Sequence, residues 1–238
     1  DAVRLAFEKA MPSKVAASWG HANGLNIAGW DSRTNEEYVT MVLATIISGG
    51  GATPQQDGWH AVGPECCFGA LTSGDVELLE YSYPIIIHKY SLMTDSGGAG
   101  KFRGGSGTAW EVEPLDKEML CIGFGEGRRI PAMGAAGAKS KDVDSKVGRV
   151  KLTRGGKAEV KRTNIMETIK PGETVTNMNP GGGGYGNPYE RPIEKVVWDV
   201  KNGLVSIKGA RDDYGVVIAD PETLDVDMAA TRRIRSAA

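Results

Sequence analysis

Thirty-three of the 238 residues are glycine, and they are gathered rather than spread. They occur as SGGGA at 48–52, SGGAGKFRGGSG at 96–107, GFGEG at 123–127, GAAGA at 134–138 and GGGGYG at 181–186. The share is roughly double the ~7% of ordinary proteins. Apolar segments such as MVLATII at 41–47 separate the clusters, so low-complexity disorder does not explain them. A chain punctuated this way must consist of short elements joined by tight turns that need a backbone without Cβ.

Those elements read as a β-rich α+β fold with short helices near both ends. Residues 1–10 (DAVRLAFEKA) carry apolar residues on one helical face, though Asp1 opens them without a cap. Residues 11–26 read as loop and 38–47 as a buried strand running into glycines. DVELLEYSY at 75–83 and PIIIHKYSL at 84–92 read as two strand halves parted by Pro84. Strands follow at 108–113 and 119–125. Polar KSKDVDSKV at 139–147 is an exposed loop or a seam, and divides the chain into segments 1–138 and 139–238. In the second segment, strands at 149–152, 158–161 and 174–178, with turns at Arg154-Gly155-Gly156 and Pro171-Gly172, predict a small antiparallel unit. Ile193, Val196, Val197 and Val200 keep helical spacing over 192–201. Ser206 caps a further short helix that ends before Gly215, and 216–218 makes a last strand. No internal repeat is present.

Composition removes several functions. A formal charge of −2 offers no basic excess for nucleic acid or a membrane surface. No apolar run reaches spanning length, and residues 1–30 do not read as a signal peptide. Three cysteines, two of them adjacent, make no disulfide framework or CxxC zinc pair. Cys66, Cys67 and Cys121 are read as small core residues of a protein in a reducing cytoplasm.

GGGGYG invites a nucleotide reading, but lacks the GxGxxG spacing that opens directly into a helix, and Asn187-Pro188 delays the next helix. No Lys-Ser/Thr follows it, as a phosphate-cradling P-loop requires. Gly181, Gly182, Gly183, Gly184 and Gly186, with Gly97 and Gly98, are therefore read as structural turns. Lys101 and Arg103 sit among amides that could form an anion nest; the alternative is a hairpin with solvated basic side chains. His21, His60 and His88 are far apart, and His88 alternates with isoleucines on a strand face. Asp57 and His60 follow a glycine-rich turn, where binding groups often lie. No Ser/His/Asp spacing and no complete catalytic constellation is present.

SYPIIIHKYSLMTDSGGAGKFRGGSG at 82–107 resembles a segment of the hydantoinase B-type proteins. NPGGGGYGNPYERP at 179–192, DVKNGLVSIKGARDDYGVVI at 199–218, SGGGATPQQDG at 48–58 and DMAATRRIR at 227–235 are similar to further stretches of that family. The resemblance covers nearly the whole chain and matches the C-terminal part of subunits several hundred residues long. It implies a partner of hydantoinase A type carrying ATP with Mg, and contact with the N-terminal part of the same subunit. It also implies a divalent metal (Zn or Mn) outside this segment, in some members a small zinc-binding subunit, and no metal or nucleotide on this chain. Such complexes open hydantoins, oxoproline and lactams, or carboxylate ketones such as acetone and acetophenone, with ATP. Where hydrolase members carry an Asn- and Arg-containing stretch, this chain has PECCFGALTSGD at 64–75. Its Cys66, Cys67 and Phe68, with Asp57 and His60, are candidate substrate contacts. The apolar character suits a ketone, so a ketone carboxylase is the favoured expectation. The alternatives are a cyclic-amide hydrolase of N-methylhydantoinase, 5-oxoprolinase or lactamase type, and a non-catalytic scaffold half. The chain alone is not expected to be stable.

Overall fold

The computed structural model describes residues 2–67, 69–125, 130–139, 149–162 and 164–237. Its centre is two antiparallel sheets. The first comprises β1 (Asn23–Asp31), β2 (Glu36–Val42), β5 (Met119–Gly125) and β8 (Ile165–Ile169), in the order β2-β1-β5-β8. The second comprises β3 (Ile85–Leu92), β4 (Thr108–Pro114), β6 (Arg149–Arg154), β7 (Lys157–Arg162) and β9 (Thr174–Met178), in the order β3-β4-β9-β6-β7.

Alternation along the strands builds one core from both sheets. Leu25, Ile27, Val42, Met119, Cys121 and Ile169 face Ile85, Trp110, Val112, Val150, Leu152 and Val175. Registers such as Ile27↔Cys121 and Val112↔Val175 bring inward residues side by side. Burying each aliphatic side chain contributes about 1.5–3 kcal/mol. Trp110 is the largest wholly buried side chain, and its ring stacks on Tyr90 with centroids 3.9 Å apart. Strands from both sides of residue 138 share the sheets: β9 pairs with β4, and β8 with β5.

Several expectations change. Residues 75–83 are not a strand half but hold helix α2 (Val76–Ser82), after the opening helix α1 (Ala2–Glu8). The Asp75 carboxylate accepts from the amide of Glu77 at 3.0 Å and caps α2. Val76, Leu79 and Tyr83, at helical spacing, pack on the core. The strand expected over 38–47 stops at Val42 and passes into a 3-10 turn, Leu43–Ile46. β1 begins inside the expected loop and runs on through 27–31, for which nothing was expected, and β8 was not foreseen. Residues 216–218 form only the bridge Ile218↔Val226. Cys121 is buried as expected, but Cys66 is exposed and Cys67 half-buried. The stretch 140–147 and Phe68 fall outside the described residues, so the seam and the Phe68 contact stand only as expectations.

The C-terminal helices α3 (Ile193–Lys201), α4 (Ile207–Tyr214) and α5 (Met228–Ser236) follow the second sheet. Ser206 caps α4 by accepting from the Gly209 amide at 2.9 Å, and Gly215 closes it at φ 64°. Val196, Val205, Ala210, Tyr214, Val216 and Ala99 form a second, smaller core. That core seats α3 and α4 against the loop at 96–107.

Candidate functional site

Beyond the sheets the glycine clusters meet, backbone against backbone. Gly182 donates its amide to the Gly105 carbonyl and Gly105 to that of Gly50, both at 2.9 Å. Gly98 donates to Gly182 at 2.8 Å, Gly183 to Ser18 at 2.7 Å and Gly186 to Ala135 at 2.9 Å. A Cβ at Gly98 would lie 2.5 Å from the Gly184 nitrogen, and one at Gly183 would stand 2.7 Å from the carbonyl carbon of Met133. Gly97 is as confined, against the carbonyl of Gly104, and Gly186 has φ 75°. Amides that donate to carbonyls do not make a phosphate cradle. This layer does not fit a nucleotide.

Against the layer lies a buried charge network. Arg191, 1% exposed, grips Asp57 with Nη1 at 2.7 Å and Nη2 at 2.8 Å. From its other edge Nε reaches Asp199 at 3.0 Å, and Nη2 reaches the same carboxylate at 2.8 Å. Arg103, 2% exposed, donates from Nε to Asp199 at 3.2 Å and from Nη1 to the Gly104 carbonyl at 2.6 Å. Its amide donates to Asp57 at 2.8 Å. Two guanidiniums thus balance two carboxylates, the condition under which buried charge is tolerated.

His60 sits at the rim. Its Nδ1 accepts from the Ser106 amide at 3.0 Å, while Nε2 lies 3.4 Å from Nη2 of Arg103. Burial first, then the Arg103 charge, pushes the imidazole below its ordinary pKa. Burial alone would raise Asp57, but the Arg191 guanidinium and the Arg103 amide outweigh it and hold the carboxyl below the usual aspartate value. For Arg191, burial works against the charge, and Asp57 and Asp199 more than offset it.

The expected site residues are thus only partly assembled. Asp57, His60 and Arg103 come together, although Asp57 pairs with the Arg191 guanidinium and the Arg103 amide rather than with His60. Arg103 is neither solvated nor in an open nest, because Asp199 and the Gly104 carbonyl hold its guanidinium inside. Lys101 is outside the cluster, half-exposed and 3.6 Å from Glu190. Cys66 and Cys67 lie on a separate turn, Glu65–Cys67, with free thiols 4.0 Å apart. That turn leads to Gly69, where a Cβ would touch the rings of Trp19 at 3.4 Å and Trp59 at 3.7 Å. Arg191 and Asp199 were not foreseen. A signal existed: Asp199 is a charge three residues after Val196 on the apolar face of α3.

The cluster holds no free carboxylate for a cation, since Asp57 and Asp199 are both taken by guanidiniums. Among the described residues no group of three or more His, Cys, Asp and Glu side chains could hold a metal ion. These residues do not fit a divalent metal.

Over its full length the chain is 60% identical to the caprolactamase subunit beta of Pseudomonas jessenii, spanning 41% of that subunit. The crystal structure of the ATP-dependent caprolactamase from Pseudomonas jessenii superposes with a TM-score of 0.88 at 56% identity, over 98% of this chain and 40% of that one. The acetophenone carboxylase delta subunit of Aromatoleum aromaticum is 27% identical over 97% of the chain, which spans 38% of it. This ordering does not support the preference for ketone carboxylation. The chain covers about two fifths of each of these relatives. Residues 1–188 match the profile of hydantoinase B/oxoprolinase, and the chain belongs to that family.

Proposed function

We propose that this segment is part of a hydantoinase B-type subunit in an ATP-dependent complex that hydrolyses a cyclic amide, a lactam in particular. The observation that carries the reading is the 60% identity to the caprolactamase subunit, against 27% to the carboxylase subunit. A lactam is a methylene ring with one amide, so the apolar stretch at 64–75 suits it as well as a ketone. ATP with Mg would sit on a hydantoinase A-type partner and a divalent metal elsewhere in the complex, because neither the glycine layer nor the charge network fits them. In this reading the segment's own residues brace and orient. The Arg191–Asp199 pair ties α3 to the loops carrying Asp57 and Arg103, and the glycine layer lets those loops approach at backbone distance. The free thiols of Cys66 and Cys67 and the need for ATP favour a reducing cytoplasm.

The complete subunit, co-expressed with its hydantoinase A-type partner, tests this in an ADP-release assay. ADP release should require ε-caprolactam or a related ring amide and proceed without bicarbonate. Release that requires bicarbonate and a ketone, with no response to any ring amide, would sink the proposal.

A further inference from the structure

The tautomer of His60 has a consequence for Arg103. Nδ1 accepts the Ser106 amide proton at 3.0 Å, so a neutral ring must carry its hydrogen on Nε2. A second ring proton would have to point at that amide and break the bond. Nε2–H therefore faces Nη2 of Arg103, 3.4 Å away, and two donors stand against each other. Arg103 has spent Nε on Asp199 and Nη1 on Gly104. Among the described residues Nη2 has no acceptor, although the side chain is buried. Ser106, also fully buried, has a hydroxyl without a hydrogen-bond partner among the described residues.

Two N–H groups at that separation can share one oxygen about 2.9 Å from each. His60 is only partly buried whereas Arg103 is buried, so a ligand would approach the pair from the imidazole side. We propose that His60 Nε2 and Arg103 Nη2 form a two-donor site for one oxygen acceptor of a small organic ligand, a carboxylate or a ring-amide carbonyl. The network already balances its own charges, so a neutral carbonyl binds without a counter-charge and a carboxylate binds through the charge-assisted bond to Arg103. The site follows from geometry and does not depend on the lactam assignment.

Calorimetric titration of the complete complex with acetate, and separately with ε-caprolactam, tests it in wild type, His60→Ala and His60→Gln. Glutamine keeps an N–H donor at similar reach; alanine removes it. Saturable binding of either probe that weakens about tenfold or more in His60→Ala, and recovers to within about threefold in His60→Gln, supports the site. Acetate alone responding identifies the carboxylate as the ligand; the lactam alone responding identifies the carbonyl. Should His60→Ala fail to fold, as judged by thermal melting, a crystal of the wild-type complex grown with the two probes decides. An oxygen bonded to both nitrogens supports the proposal. Equal binding in all three proteins, or a donor pair left bare in that crystal, overturns it. Probe binding without lactam turnover would leave this site standing while sinking the lactam reading.

Discussion

At the residue scale, what the glycine layer excludes is a Cβ. At Gly183 the added methyl would overlap the carbonyl oxygen of Met133, and backbone cannot swing aside as a side-chain tip does. Gly183→Ala should therefore cost about 1–3 kcal/mol, seen as a lower melting temperature. Gly203→Ala meets no atom within 4 Å but must hold φ 70°, so its cost should be nearer ~1 kcal/mol. Equal, negligible effects at both positions would contradict the packing account. Asp57 supplies a pH signature. Its folded pKa lies below the ordinary aspartate value of 3.8, so the stability it adds is present above that value. It is lost as pH falls through 3.8 and on through the lower folded pKa. Melting temperature against pH should show wild type exceeding Asp57→Asn near neutrality, the gap closing below about pH 4. Breaking the buried network with Arg191→Ala should cost about 3–5 kcal/mol, because it takes the guanidinium from Asp57 and leaves the wholly buried Asp199 with Arg103 alone.

At the element scale, what could be read in the sequence depended on how strongly each segment was patterned. β3, β4, β5 and β9 carry dense apolar or β-branched runs and lie where the alternation predicted. α3 announced itself by four apolar residues at helical spacing, and α4 by Ser206 and Gly215. β1 was missed because Gly24 and Gly29 thin the apolar signal of Leu25 and Ile27. β8 is a five-residue edge strand whose Glu167 and Thr168 read as loop. DVELLEYSY fits either period over so few residues; the Asp75 cap and the 76–79–83 spacing decide for helix. Removing the cap tests this. Asp75→Ala should destabilise the protein by about 0.5–2 kcal/mol in thermal unfolding; a strand in this place would show no such loss. In the site, Asp57, His60 and Arg103 were legible as residues whose polar chemistry stood beside glycine. Their partners were not, because an ion pair between residues 57 and 191 leaves no local pattern.

At the scale of the whole molecule, the two sheets draw strands from both ends of the chain, so their shared core forms only when distant segments meet. The outward face of the first sheet carries Trp30, Val39, Met41, Leu120 and Met166, with Val39 81% and Met166 71% exposed. β-register sets Met41 beside Asn26, Asn26 beside Ile122, and Ile122 beside Met166 in one row. So much apolar surface on one sheet face favours association. The isolated chain should elute from size-exclusion chromatography as aggregates or oligomers, and a monodisperse monomer would count against that expectation. The central claim concerns what the full assembly does to a substrate. Its most direct test offers the complete complex ε-caprolactam, acetone, acetophenone, bicarbonate and ATP together, and weighs the products by mass spectrometry. The account predicts a lactam product heavier by one water, formed with ADP, while the ketones are unchanged. A ketone product heavier by one carbon dioxide, with the lactam intact, would contradict it.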